Sequence, residues 1–252
     1  MASHHEYWTP SYDFISLMAP AAPRVSIITF NYDLLLDWCI KLGEVPARRR
    51  LLSYGLPQSV LASGGPKDAM WMTPTPPVEG PYNGSLRLFK LHGSLNWAHC
   101  LDCGRLTAFP TELLPHFFSG ETYDRDCAAC GSGNLEPMIL PPGPAKESSK
   151  LAPLWEAAEA ILDDAHQIVF VGYSMPDYDT SVKQLFHRVC SSLRLRRKEI
   201  RVIDPGAGDA LSKRYEAVVG PHIAIKKSFV EAVSDAMAEA RSVWSALGLE
   251  PR

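Results

Sequence analysis

The sequence has little net charge, no long apolar run and no apolar leader, and each absence excludes a class of protein. Its 252 residues carry a net charge of only −3, whereas nucleic-acid-binding domains usually present a basic face. No apolar run approaches the ~20 residues that a membrane-spanning helix needs. The first residues show no basic segment followed by an apolar one, so no signal peptide is predicted. We therefore expect a cytoplasmic protein whose partner is neither a membrane nor a nucleic acid.

Two C-x-x-C pairs form the strongest motif, Cys100 with Cys103 and Cys127 with Cys130. Each C-x-x-C turn points two thiolates to one side, and two such turns complete a four-thiolate zinc site. A glycine follows each pair and lets backbone N–H groups approach the sulfurs. Because four thiolates leave no open coordination position, the predicted zinc is structural. The alternatives are four unrelated buried thiols and a thiol–disulfide redox centre, which usually has a single such motif at a helix start.

Short strand-like runs, apolar and mostly β-branched, alternate with helical patterns in the remainder of the chain. The strand-like runs are residues 25–30, 86–91, 167–172, 200–203 and 222–225. Apolar residues recur at helical spacing after most of them, around Leu154, Leu185, Leu211 and Val233. Near-continuous apolar strands separated by helices are typical of a parallel sheet covered on both faces. The sequence therefore predicts an α/β fold with a doubly wound, Rossmann-like parallel sheet.

Polar residues follow four of these predicted strands, where ligands bind in open α/β sheets. The segments are Thr-Phe-Asn-Tyr-Asp at 29–33, His-Gly-Ser at 92–94, Gly-Tyr-Ser at 172–174 and Asp-Pro-Gly at 204–206. Each segment also has a local explanation. Asn31 or Asp33 could cap a helix that begins near Leu34, Asp204 could cap the helix after it, and His92 could be an ordinary loop histidine. Spacing alone names no ligand.

The order of these segments resembles that of the sirtuins. Sirtuins carry a Thr-Gln-Asn-Ile-Asp segment, then a His-Gly pair, a ribbon with two C-x-x-C motifs, a glycine–hydroxyl loop and a strand that ends in a polar residue near the adenosine ribose. The matching parts of this chain are residues 29–33, 92–93, the four cysteines, 172–174 and 202–204. The Phe-Asn-Tyr-Asp form is similar to that of the prokaryotic sirtuin-like branch linked to NAD hydrolysis.

The resemblance implies NAD as the co-substrate and assigns its chemistry to Asn31 and His92. Asn31 would position the nicotinamide ribose and a water molecule, and His92 would be the general base. Cleavage of the nicotinamide–ribose bond develops positive charge on the sugar. An imidazole can accept a hydroxyl proton near neutral pH, and an oriented amide can hold the incoming water in line.

The remaining cofactor contacts also follow from the resemblance. Asp33 would lie near the carboxamide, and Thr29 belongs to the same segment. Gly172 and Ser174 would line the phosphates, and Asp204 would accept hydrogen bonds from ribose hydroxyls.

Two departures from the sirtuin pattern affect the expected activity. Sirtuins begin with a glycine-rich phosphate loop, and the residues before Val25 contain no glycine. We therefore expect a sheet that is incomplete at its N-terminus, and weak NAD binding with very slow hydrolysis by this chain alone. An N-terminal companion segment or an oligomer partner is a candidate partner that could complete the site. The second departure follows the ribbon, where protein deacylases have a Phe-Gly-Glu segment that pairs with the substrate peptide. Here residues 138–144 are rich in proline, which cannot donate to a strand ladder, and this favours NAD hydrolysis over deacylation.

The predicted organisation is a Rossmann-like, sirtuin-like domain of residues 1–94 and 137–252 that carries a zinc-ribbon insertion, residues 95–136. The leading function is an NAD glycohydrolase, which the resemblance links to bacterial antiphage defence. One alternative is an NAD-dependent protein deacylase. The other is a catalytically incompetent zinc-ribbon module, a fragment or degenerate member, that binds a partner.

Overall fold

The computed structural model describes residues 5–40, 52–54, 59–60, 86–108, 126–127, 130–140, 150–191 and 198–246. The chain divides into two compact units. The cysteine unit comprises residues 19–141 and 148–157, and the C-terminal unit comprises residues 1–18, 142–147 and 158–252. Each unit has its own sheets.

The cysteine unit begins with a short 3-10 helix (Ala19–Arg24) and a parallel sheet. The strands are β1 (Ser26–Thr29), β2 (Leu52–Ser53) and β4 (Leu86–Lys90), in the order β1-β4-β2. Strand β4 is central, and its apolar side chains are buried on both faces, as expected for a parallel strand. Residues 35–40 are helical and are called α2. Because β1 and β4 are parallel neighbours, the segments that follow them leave the same edge of the sheet.

A mixed sheet in the same unit carries the cysteines. Its strands are β3 (Ser59–Val60), β5 (Gly93–Cys100), β6 (Leu106–Ala108) and β7 (Leu135–Ile139), in the order β3-β6-β5-β7. Strand β5 is antiparallel to β6 and β7. It begins directly after His92 and ends at the first cysteine, so one strand joins the predicted base to the predicted metal ligands.

Strand β7 corrects one expectation drawn from the sequence. The prolines and glycine between Pro137 and Pro144 predict a loop, but residues 137–139 continue the strand that begins at Leu135. Residues 141–144 lie outside the described ranges. Strand β7 is the last strand of its sheet in the described part of the chain. A proline such as Pro137 is tolerated there because an end strand need not donate hydrogen bonds on both sides.

The C-terminal unit contains a second parallel sheet and most of the helices. Its strands are β8 (Gln167–Val171), β9 (Glu199–Ile203) and β10 (Ile223–Ile225), in the order β10-β9-β8. The helices are α1 (His5–Met18), α3 (Ala152–Asp164, which starts in the cysteine unit), α4 (Thr180–Ser191), α5 (Asp209–Val219) and α6 (Phe229–Ala246).

Aromatic side chains form the core of this unit. The ring of Phe170 on β8 packs edge-on against Phe186 of α4 and Tyr215 of α5, at centroid distances of 4.7 and 5.0 Å. Phe14 of α1 contacts Phe229 of α6 at 5.6 Å. The helical spacing of the apolar residues therefore places one face of α4 and α5 on the sheet.

The predicted α/β class with parallel strands is confirmed, and a strand is present at every position where one was predicted. The two all-parallel sheets of the described residues have three strands each, one sheet in each unit, and the mixed sheet contains one further parallel pair, β3 with β6. Of the helices in the described ranges, none is both long enough and apolar enough to cross a membrane.

Candidate functional site

The four cysteines of the two C-x-x-C pairs lie together, with all four Sγ atoms within 4.8 Å of one another. The Sγ atoms of Cys100 and Cys130 are 3.6 Å apart, and those of Cys103 and Cys127 are 3.5 Å apart. Four sulfurs at about 2.3 Å from a tetrahedral zinc ion would be roughly 3.8 Å apart, whereas a disulfide needs about 2.05 Å. The cluster therefore has the size of a single tetrahedral metal site.

The two cysteine pairs have the same backbone geometry. In each pair, the N–H of the following glycine donates to the carbonyl of the first cysteine, at 2.9 Å for Gly104 and 2.7 Å for Gly131. Both glycines have a φ of 72°, a conformation that other residues rarely adopt. The N–H of each first cysteine also donates to the carbonyl two residues beyond the second cysteine, at 2.9 and 2.7 Å. Two equivalent turns thus face each other.

A polar bridge joins the two turns independently of any metal. The Asp102 carboxylate accepts hydrogen bonds from the Ser132 hydroxyl and, at 3.0 Å, from the Asn134 amide. These bonds hold the pKa of Asp102 below its usual value. The backbone N–H of Leu101 donates to the Asn134 carbonyl at 2.9 Å. The second turn is therefore held against the first by side chains as well as by its cysteines.

The predicted Asn31 segment forms a tight turn after β1. The Asn31 N–H donates to the Thr29 hydroxyl at 3.1 Å. The Asp33 carboxylate accepts from the Leu35 N–H at 2.9 Å, which caps the start of α2 as the local explanation of this residue predicted. Asn31 and Asp33 are both exposed. The turn is therefore fixed by bonds from backbone N–H groups to the side chains of Thr29 and Asp33, while Asn31 is exposed to solvent.

His92 follows β4 and is buried between aromatic rings. Only 6% of its surface is exposed. The Phe30 ring lies 5.6 Å from the imidazole and the Trp155 ring 6.3 Å. The Trp155 indole N–H donates to the carbonyl of Leu91 at 3.1 Å, so the same tryptophan also fixes the backbone beside the histidine.

Backbone hydrogen bonds join the Asn31 and His92 segments. The Leu91 N–H donates to the Thr29 carbonyl at 3.0 Å, and the Leu95 N–H donates to the Tyr32 carbonyl at 2.9 Å. The structure thus brings together the predicted residues Thr29, Asn31, Asp33 and His92 at one edge of the β1–β4 pair. Their roles as catalytic and cofactor-binding residues stay predictions.

Gly93, which follows His92 at this edge of the β1–β4 pair, cannot be replaced by a residue with a side chain without strain. Its φ is 80°. A Cβ atom there would lie 2.9 Å from the Met138 carbonyl carbon and closer still to the carbonyl oxygen. The neighbouring Leu140 N–H donates to the His92 carbonyl at 2.8 Å. The close approach of β7 therefore holds the His92 backbone and excludes a side chain at the next residue.

In the C-terminal unit, the predicted residues Gly172, Ser174 and Asp204 follow β8 and β9. The two strands are parallel neighbours with Val171 opposite Ile203, so the segments leave the same edge. Gly172 and Ser174 are exposed. The Asp204 carboxylate accepts a hydrogen bond from the Gly206 N–H at 2.7 Å. It closes a turn, whereas the cap of α5 is Gly208.

Hydrogen bonds of two tyrosines hold the loop after β8, and the sequence analysis did not predict them. The Tyr173 hydroxyl donates to the buried Asp179 carboxylate at 2.8 Å, and the Tyr215 hydroxyl donates to the Tyr173 carbonyl. Burial, with Asp179 beside it, raises the pKa of Tyr173. Met175, a fully buried non-glycine residue, has a φ of 50°. Backbone strain of this kind occurs at functional loops.

A buried polar group in the cysteine unit was missed at the sequence level. It consists of Lys90, Asp37 and Tyr54, which come from β4, α2 and the residue after β2. The available signal was a lysine inside the apolar run Leu-Arg-Leu-Phe-Lys-Leu, directly before the His-Gly pair. A lysine in a buried strand needs a partner.

The SIR2-like domain family model matches residues 25–219. The match covers most of the chain, and the protein therefore belongs to the SIR2-like domain family. The predicted membership of the sirtuin family is confirmed. A search of curated proteins gave no match.

The fold is similar to solved structures of Sir2 proteins. One, from work on the mechanism and regulation of Sir2 enzymes, is 17% identical, with 94% of this chain and 72% of that chain covered and a TM-score of 0.49. A Sir2 structure with a p53 peptide and NAD+ is 14% identical, with coverages of 92% and 69% and a TM-score of 0.47. A mutant Sir2 homologue in complex with ADP-ribose is 15% identical, with coverages of 96% and 69% and a TM-score of 0.48.

Proposed function

We propose that this chain is an NAD-consuming domain that hydrolyses the nicotinamide–ribose bond, with Asn31 and His92 as its catalytic residues. The observation that carries the proposal is the direct backbone connection between the Asn31 turn and the His92 segment. Membership of the SIR2-like family supports NAD as the substrate. The two segments come from strands that are adjacent in space and distant in sequence, which is how a fold assembles a catalytic site.

The reaction needs an oriented water molecule and a proton acceptor. The bond from the ribose carbon to the nicotinamide nitrogen breaks, and its electron pair leaves with nicotinamide. The water oxygen bonds to the ribose carbon to give ADP-ribose, and the water proton leaves. The exposed Asn31 amide orients the water, and the His92 imidazole accepts a proton. Phe30 and Trp155 restrict the imidazole on two sides.

The other predicted cofactor contacts keep their assigned roles in this proposal. Thr29 and Asp33 belong to the turn that carries Asn31, and both use one side-chain oxygen to fix that turn. Gly172, Ser174 and Asp204 stay the predicted contacts of the phosphates and of a ribose.

We also propose that the cysteine cluster holds a structural zinc ion. The sulfur separations and the paired turns fit tetrahedral coordination by four thiolates. A site closed by four protein ligands leaves no position for water or substrate. Zinc would therefore stabilise the end of β5 and the second turn and would take no part in the cleavage of NAD.

The test is release of nicotinamide from NAD at millimolar concentration by the zinc-loaded chain. We expect His92→Ala and Asn31→Ala each to lower turnover by about 10²–10⁴-fold. His166→Ala is the matched control, because His166 is an exposed turn residue before β8, and it should leave turnover unchanged. Turnover that survives both substitutions within a few fold would show that the catalytic residues lie elsewhere.

The same assay separates the alternative functions. A strong increase in nicotinamide release on addition of an acetylated peptide would favour a protein deacylase. No turnover by folded, zinc-loaded protein would favour a module that binds a partner. The link to antiphage defence is tested by phage challenge of cells that express the wild-type chain or the His92→Ala variant, and only the wild-type chain should protect.

A further inference from the structure

A buried ion pair lies directly behind the Asn31 turn. The Lys90 ammonium is 2.8 Å from the Asp37 carboxylate, and both side chains are 1% exposed. Lys90 is the last residue of β4, two positions before His92, and Asp37 lies in α2, which begins just after the Asn31 turn. The pair therefore joins the strand that precedes His92 to the helix that follows the Asn31 turn.

A buried ion pair by itself contributes little to the net stability of a fold. Removal of two charges from water costs about as much as the pair recovers, and apolar residues of similar volume often serve as well. What distinguishes this pair from apolar packing is the set of directional hydrogen bonds that it makes.

The pair is tied to the Asn31 turn at one end. Besides Asp37, the Lys90 ammonium donates to the backbone carbonyl of Asp33. That carbonyl belongs to the same short turn as Asn31, whose own N–H is held by Thr29. A directional, charge-assisted bond to a main-chain oxygen fixes the position of the turn in a way that apolar contacts would not.

The pair is tied to the strand that follows His92 at the other end. The Tyr54 hydroxyl donates to the second oxygen of Asp37, and the Asn96 side chain hydrogen-bonds the Tyr54 hydroxyl. The Ser94 hydroxyl donates to the Asn96 side-chain oxygen at 2.8 Å. Burial first, and the Asp37 carboxylate second, raise the pKa of Tyr54 well above its usual value, so the hydroxyl keeps its proton and stays a donor.

We propose that Lys90, Asp37 and Tyr54 are positioning residues that fix the Asn31 turn relative to His92. The buried polar chain runs from Ser94, beyond His92, to the Asp33 carbonyl, beside Asn31. This inference rests on the proposed function for its catalytic consequence. The positioning itself is a property of the fold and can be measured separately.

The first test compares Lys90→Met with the double variant Lys90→Met, Asp37→Asn in NAD cleavage. Methionine retains the length of lysine and removes its donors. A misplacement of about 1 Å can cost about 10²-fold in rate, so we expect kcat to fall about 10²-fold in the single variant while KM changes only a few fold. The double variant leaves no uncompensated buried charge, so its melting temperature should recover while kcat stays low.

Two further variants keep the test decisive. Tyr54→Phe retains the ring that packs edge-on against Trp97 and removes only the hydroxyl, so it should fold and show a fall in kcat of about 10-fold, the size typical for one hydrogen bond. Lys198→Met is the matched control. The Lys198 ammonium donates to the carbonyls of Leu162 and Asp163 at the end of α3, and its loss should lower the melting temperature without changing kcat.

Hydrogen exchange separates this inference from the proposed function. The amides of Leu91 and Leu95 form the backbone bonds to the Asn31 segment. We expect both to exchange at least 10-fold faster in Lys90→Met and in the double variant, with the amide of Gly172 unchanged. If the amides exchange faster in the variants but the wild-type chain cleaves no NAD, the positioning role is supported and the proposed function is contradicted. Unchanged exchange, or a kcat that recovers together with the melting temperature in the double variant, would overturn the positioning role.

Discussion

Replacement of Gly93 by alanine should destabilise the chain through two separate costs. A residue with a side chain at a φ of 80° costs about 1–2 kcal/mol. The new Cβ would also lie 2.9 Å from the Met138 carbonyl carbon and closer to its oxygen, so β5 and β7 must separate locally. Overpacking of this kind costs about 1–3 kcal/mol. The expected loss is therefore about 2–5 kcal/mol, the sum of the two costs.

Gly172 offers a control for the first cost alone. Its φ is 62°, and a Cβ there would meet no atom within 4 Å. Gly172→Ala should therefore lose only about 1–2 kcal/mol. For a chain of this size each kcal/mol lowers the melting temperature by about 2–4 °C. Circular dichroism should show a clearly lower melting temperature for Gly93→Ala than for Gly172→Ala, and equal melting temperatures would refute the close approach of β7 to Gly93.

Three further predictions concern the metal site, the buried Tyr215 and the environment of His92. The purified chain should contain about one zinc ion, which Cys103→Ser should lose and Cys190→Ser should retain by metal analysis. Burial first and Asp204 second raise the pKa of Tyr215, so its stabilisation is complete below about pH 10 and is lost as the pH rises. The free energy of unfolding of the wild type should therefore fall above pH 10 more steeply than that of Tyr215→Phe, by up to about 1.4 kcal/mol per pH unit; equal slopes in denaturant titrations would contradict this. Trp155→Phe keeps a ring beside His92 but loses the bond to Leu91, and it should lose about 0.5–1.5 kcal/mol and cleave NAD more slowly, whereas an unchanged melting temperature would show that the indole bond does not form.

Local patterns in the sequence predicted much of the fold. The parallel strands β1, β4, β8, β9 and β10 were predicted because each is a short run rich in apolar residues with turn or loop residues after it. The clustering of the four cysteines was predicted from the two C-x-x-C pairs, because each pair forms a turn of the same geometry. The Asp33 cap followed from the chemistry of a carboxylate two residues before a helix. In each case the controlling interaction lies within a few residues of the signal.

Features that depend on distant partners were not predicted. The bond between Lys90 and Asp37 joins residues that lie 53 positions apart, and only the pairing of β4 with β1 brings them together. The hydrogen bond between the side chains of Asn134 and Asp102 joins residues that lie 32 positions apart. The strand at Pro137 was read as a loop because proline disfavours strands in general. Its place at the end of a sheet, which makes proline acceptable, is a property of the assembled sheet.

The decisive measurement for NAD hydrolysis is the analysis of products formed in ¹⁸O-labelled water. The zinc-loaded chain is incubated with NAD, and nicotinamide and ADP-ribose are quantified by mass spectrometry. We predict equal amounts of the two products, one heavy oxygen in each ADP-ribose molecule, and neither product above background with His92→Ala. Intact NAD after incubation with the folded wild-type chain, or the same labelled ADP-ribose from His92→Ala, would contradict the assignment of NAD hydrolysis to the Asn31 and His92 site.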